Sequence, residues 1–116
     1  MKSDVIDLPE FLERVQDDKA LLLELLDIYE QDFIQKRQYL SEAAQQKDYE
    51  RIKEIAHSLK GASGNISAKN LRPLFSSLEE MGKTGNVSTV EATLSQIDQE
   101  FALLKVRMDQ LRQELK

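Results

Sequence analysis

Residues 48–67 read DYERIKEIAHSLKGASGNIS, and the way their side chains sort around an axis decides the fold. At roughly 100° per residue, Ile52, Ile55, Ala56, Leu59, Ala62, Ser63 and Ile66 gather on one side as a core-facing stripe. Lys53, His57, Lys60, Gly61 and Gly64 gather on the other side. Asp48 stands where an N-cap belongs. The spacing predicts an amphipathic helix running to about Ile66, with His57 facing solvent.

The same periodicity extends in both directions. Upstream, a helix is predicted from about Asp18 to Gln46, with Leu22, Leu26, Tyr29, Phe33, Leu40 and Ala44 along one stripe, Phe33 fitting either core or rim. Before it, Asp7 caps a short helix that tolerates Pro9 and offers Phe11, Leu12 and Val15. Downstream, a helix starts between Ser67 and Asn70, with Pro73 in its first turn and Leu71, Leu74, Phe75, Leu78 and Met81 as its apolar face. Gly82 and Gly85 are expected to stop it. Ser88 and Glu91 have the spacing of a capping box for a last helix carrying Val87, Val90, Leu94, Ile97, Phe101, Leu104, Met108 and Leu111. Alternating strand-like runs and hairpin dipeptides are missing.

Short connections between long amphipathic helices favour antiparallel neighbours. The expected fold is all-α: an antiparallel up-down four-helix bundle with a short additional N-terminal helix, residues 1–116 forming a single domain. The stripe of the last helix would also suit a dimerising coiled coil, but three other amphipathic helices in the same chain can cover it. A monomer is expected.

Composition narrows the chemistry. The 116 residues are 41% hydrophobic and 32% charged, a globular balance, with a net charge of -5. An acidic domain is a poor general binder of nucleic acid. No cysteine is present, which removes disulfides, thiolate metal sites and thiol nucleophiles. No apolar run approaches the roughly 18 residues that span a bilayer, and MKSDVIDLPE lacks a signal-peptide core. No membrane insertion and a cytoplasmic location are expected. The starting Met1 and the whole bundle suggest a stand-alone protein.

His57 is the only histidine, a weak reason for interest by itself. Its neighbours supply a better one. A glycine inside a helix costs about 0.5–1 kcal/mol relative to alanine, yet two of the four glycines lie on its exposed face, Gly61 four residues after it and Gly64 three further on. Missing side chains there would clear the approach of a bulky partner. A close helix contact or a kink accounts for them less well, because both lie off the core stripe. Lys60 at i+3 and Lys53 at i−4 flank the imidazole; cations here favour an added phosphoryl group and disfavour imidazolium, leaving a nucleophilic nitrogen. Alone, each lysine is an ordinary solvated residue.

HSLKGASGNISAKNL resembles the motif of the histidine phosphotransfer (HPt) family of two-component phosphorelays. His57, Leu59, Lys60, Gly61, Ala62, Ser63, Ile66, Ala68 and Leu71 match it in order, and the helices on either side extend the likeness over nearly the entire chain. One position departs: the family usually has glycine where this chain has Ser67, which can instead cap the next helix.

The resemblance implies that His57 accepts a phosphoryl group from the aspartyl phosphate of a response-regulator receiver domain and relays it to another receiver, with a hybrid sensor kinase as a further partner. Lys60 would stabilise the phosphate, and Gly61 and Gly64 would give access. The chain itself would need no cofactor, Mg²⁺ being expected on the receiver. It shows no metal-ligand constellation and no P-loop, so it reads as a phosphocarrier with a covalent phosphohistidine rather than a kinase. Docking candidates are Lys53, Lys69 and Arg72 as cations, and Ile28 and Asp32 on the second helix. Two other readings remain: a helical interaction module without phosphotransfer, and the phosphoacceptor domain of a chemotaxis-type kinase.

Overall fold

Three aspartates start three helices. The carboxylates of Asp7, Asp18 and Asp48 accept from the backbone N–H groups of Glu10, Leu21 and Arg51 at 3.2, 3.0 and 3.1 Å, satisfying donors that a helix leaves open at its first turn. The computed structural model, which describes residues 4–86 and 88–115, has the helices α1 (Leu8–Arg14), α2 (Lys19–Gln45), α3 (Tyr49–Asn65), α4 (Leu71–Thr84) and α5 (Val90–Glu114). Val87, expected on the stripe of the last helix, lies outside the described residues.

Each long helix packs on the next and α5 returns to α2, closing a four-helix bundle. Cross-links fix the antiparallel sense. Arg37 pairs with Asp98 while Arg112 reaches Asp27 and Glu30, so α2 rises as α5 falls. Lys36 meets Ser58 and Tyr29 meets Ser63 in the same manner between α2 and α3. The expected stripes form the core: Leu22, Leu26, Tyr29, Phe33 and Leu40 meet Ile52, Ala56, Leu59, Phe75, Leu78, Ile97 and Leu104. Phe33 is core rather than rim, stacked on Phe101 at 3.8 Å between centroids and edge-on to Phe75 at 6.2 Å. Ser63, a polar residue on the core stripe, is satisfied by the Tyr29 hydroxyl at 2.8 Å, and burial pushes that hydroxyl well above the ordinary tyrosine range.

Four local expectations need correction. Ala43, not Ala44, is the fully buried residue at the end of the α2 stripe. Gly82 does not stop α4; it is buried inside it, where a Cβ would come within 2.7 Å of the Lys53 nitrogen and the Tyr49 carbonyl oxygen. The glycine lets two backbones touch. Gly85, at φ +75°, is the left-handed residue that ends the helix. Ser88 forms no capping box: α5 starts after Thr89 without a side-chain cap, and Ser88 Oγ donates to Asn86 instead.

Ser67 does not cap α4 either. It is buried with φ +57°, and the Ser67 and Ala68 N–H groups donate back to Gly64 and Ser63, closing α3 in a left-handed cap. That conformation favours glycine, the residue usual at this position in the family that the motif resembles. Here the serine hydroxyl is anchored on Glu10 at 2.7 Å, and its carbonyl accepts from the Asp7 N–H at 2.9 Å. These bonds tie α1 across the α3–α4 turn.

Candidate functional site

His57 sits midway along α3 on the outward face, with 69% of its side chain exposed. The placement follows from the wheel: Ala56 and Leu59 are buried on either side of it in sequence, which turns residue 57 away from the core.

The ring is not free. Nδ1 lies 2.7 Å from Oε2 of Glu79, and Lys60 Nζ donates to Oε1 of the same carboxylate at 2.6 Å. Glu79 and Lys60 are half-buried beneath the imidazole, 22% and 25% exposed. Glu79 comes from α4, in antiparallel register: it lies as far after Ala68, in the turn, as His57 lies before it. The hydrogen bond from Lys60, together with the weaker one from His57, holds the Glu79 carboxyl below the usual carboxylate range against the opposing pull of burial. A carboxylate on Nδ1 selects the tautomer that carries its proton there and directs the Nε2 lone pair into solvent.

This corrects the electrostatic expectation for the histidine. Its immediate partner is an anion, and Lys60 reaches the ring through that anion. Lys53 does line the shallow depression around His57, with Glu54, Glu79 and Lys83, but its ammonium is paired with Glu50 at 2.9 Å. Glu79 and Lys83 line this depression beside His57 and are not among the residues that the sequence singles out. A helical wheel of α3 carries no information about α4; only the hairpin register, counted outward from the turn, would have found Glu79.

The two glycines differ. A Cβ on Gly61 would meet nothing within 4 Å, so the surface next to His57 is open. Gly64 is half-buried: its carbonyl accepts from Arg14 Nη1 at 2.8 Å, and a Cβ there would touch the Arg72 side chain at 3.5 Å. Of the other candidates, Asp32 is linked to the site through Lys36, which pairs with it at 3.0 Å and bonds Ser58 Oγ, next to His57, at 2.7 Å. Ile28 is exposed one helical turn before Asp32 on α2. Lys69 and Arg72 lie away from the imidazole, at the far end of the α3–α4 seam, where Lys69 pairs with Glu10 at 2.7 Å.

Among the described residues no cluster of His, Asp or Glu has the makings of a metal site, and no helix is long and apolar enough to cross a membrane. An exposed imidazole with one nitrogen held by a buried-side carboxylate can act as a nucleophile at the other. None of the curated proteins matches the chain in sequence. The profile of the Hpt domain family matches residues 8–114. The fold is similar to that in the crystal structure of histidine-containing phosphotransfer protein B (HptB) from Pseudomonas aeruginosa PAO1, with a TM-score of 0.85 and 28% sequence identity, covering 97% of this chain and 98% of that one. The chain thus belongs to the Hpt domain family, the histidine phosphotransfer proteins of phosphorelay signalling.

Proposed function

We propose that His57 is the phosphoacceptor, and that it takes the phosphoryl group from the aspartate of one receiver domain and gives it to the aspartate of another. The observation that carries this reading is the bond between His57 Nδ1 and Glu79 beneath an otherwise open ring. With the Nδ1 proton held by Glu79, Nε2 attacks phosphorus; the Nε2–P bond forms as the bond from phosphorus to the aspartyl oxygen breaks, and the carboxylate leaves with the electron pair. Positive charge develops on the ring during attack, and Glu79 is already in place to stabilise it, as the aspartate of a catalytic triad stabilises imidazolium. Lys60, held beside the ring by the same carboxylate, is the cation that meets the incoming phosphoryl oxygens. Gly61 leaves the approach to Nε2 open.

Such transfer depends on positioning and charge stabilisation, so the receiver can supply the rest, including the Mg²⁺ that neutralises its own acidic pocket. Ile28, the Asp32–Lys36 pair and Lys53 form the rim on which the receiver first rests. The proposed setting is the cytoplasm, where receivers draw their phosphate from ATP-dependent kinases, some joined to receivers in hybrid sensor kinases. The chain acts there as a monomer.

The test is phosphotransfer from a labelled receiver to the wild-type chain and to His57→Gln. Label is expected on the wild type alone, labile to acid and stable to alkali. Equal labelling of both proteins would remove His57 from the mechanism, and partner binding with no labelling of either would make the chain an interaction module.

A further inference from the structure

The seam between α3 and α4 does not end at His57. Beyond Lys60 it opens into a groove of about 740 Å³ that runs to α1. Four of the chain's sixteen Lys and Arg residues line it (Arg14, Lys60, Lys69 and Arg72) but only one of its twenty-one Asp and Glu residues, Glu10. On a protein of net charge -5 this is a sharp local reversal of sign.

The one carboxylate is already engaged. Glu10 accepts from Ser67 Oγ and Lys69 Nζ at 2.7 Å each and from Arg14 Nη2 at 3.3 Å. Arg14 also donates to the Gly64 carbonyl, and Arg72 lies across the same glycine from the α4 side. Two guanidinium groups therefore converge on Gly64, and among the described residues no carboxylate pairs with Arg72. Arg14 and Lys69 share one carboxylate, and Lys60 is paired with Glu79. The charge left for an anion entering the concavity is therefore carried mainly by Arg72 and by the excess of Arg14 and Lys69 over Glu10.

We propose that this groove docks an acidic loop of the receiver domain whose aspartate meets His57, and that it selects among receivers by charge. The inference rests on the reading of His57 as phosphoacceptor. Continuity supports the occupant: Lys60 lines the groove and also joins Glu79 at the histidine, so a domain seated over His57 extends along the seam past the open face of Gly61. The groove lies on the α4 side of His57, opposite the rim formed by α2. A long polyanion is the wrong occupant, because the chain's net charge of -5 disfavours it. Charge at a rim steers encounter and rejects partners of like sign, which is what discrimination among similar receivers requires.

The experiment measures binding of a Mg²⁺-loaded receiver domain from the same genome, chosen for acidic loop residues at the edge of its phosphoacceptor face, outside the carboxylates that hold the Mg²⁺. The full chain is compared with Arg72→Glu and Arg72→Lys, at about 0.1 M and about 1 M salt, where the screening length falls from about 10 to about 3 Å. Arg72 is exposed, so both variants are expected to fold. Arg72→Glu should weaken binding at low salt by about tenfold or more, lose most of that difference at high salt, and be rescued by reversing the loop carboxylates of the receiver to Lys. Arg72→Lys should bind within a few-fold of wild type.

Equal binding by Arg72→Glu at low salt overturns the proposal. So do amide shifts at Arg72 and Lys69 with inorganic phosphate but none with the receiver, which would mark a small-anion site. The two readings also fail separately. Binding that depends on Arg72 in a chain that takes no phosphoryl group supports the groove and removes the phosphoacceptor. Labelling of His57 by the receiver at a rate indifferent to Arg72→Glu does the reverse.

Discussion

Glu79 does two things with one carboxylate: Oε2 holds the His57 ring and Oε1 holds Lys60. Replacing it by glutamine keeps the shape and an oxygen for the ring, but removes the charge that both partners use. A hydrogen bond to a charged group contributes about 1.5–3 kcal/mol, so Glu79→Gln is expected to slow transfer through His57 by roughly 10- to 100-fold in single-turnover measurements. The same substitution has a signature in acid. The folded-state pKa of Glu79 lies below its ordinary value of 4.5, so its ion pair stabilises the fold fully above that value and is lost as pH falls through the lower folded one. Denaturation midpoints of wild type and Glu79→Gln should therefore differ at neutral pH and converge as the solution is acidified below about 4.5. A gap that persisted at low pH would mean that the carboxylate contributes packing rather than charge.

Between helices, Gly82 sets how closely α4 lies on α3. A Cβ at this position would need the backbone at Tyr49 and Lys53 to move, because the atoms 2.7 Å away are main-chain atoms and not the end of a flexible side chain. Gly82→Ala would gain up to about 1 kcal/mol of helix propensity, but overpacking costs about 1–3 kcal/mol. The net expectation is a loss of stability by urea denaturation, together with slower transfer, since α4 carries Glu79 against the ring. Greater stability with unchanged transfer would show that the helices have slack here. In sequence, Gly82 has the look of a stop signal, since glycine commonly ends helices; only the neighbouring helix distinguishes that role from a close contact. The Asp caps at residues 7 and 48 were legible because a cap is a local event within one turn. The Ser88–Glu91 spacing is equally local, but the Ser88 hydroxyl donates to Asn86 and α5 starts without a side-chain cap.

Over the entire molecule the aromatic residues of three helices meet at one point. Phe33 of α2 contacts Phe101 of α5 and Phe75 of α4, so it joins elements far apart in the chain. Phe33→Ala is expected to cost about 3–5 kcal/mol, a large part of the about 5–15 kcal/mol that holds a domain together. Unfolding followed by circular dichroism and by tyrosine fluorescence should move to lower denaturant together, as one cooperative event. His57→Gln, a change at an exposed site, should move the midpoint within about 0.5 kcal/mol of wild type.

The sequence by itself determined the helical class, the number of helices, most of the core stripes and the exposure of His57. All of these follow from periodicity within a single helix, where the geometry of 3.6 residues per turn is fixed before any packing occurs. The match of residues 57–71 to the motif of a family added the chemistry, which periodicity could not supply. Tertiary structure alone decided what touches the histidine. The meeting of Glu79, Lys60 and the imidazole depends on the register between two antiparallel helices, which the buried contact at Gly82 and the left-handed turn at Ser67 set together. Register is a relation between elements, and no pattern confined to one of them contains it.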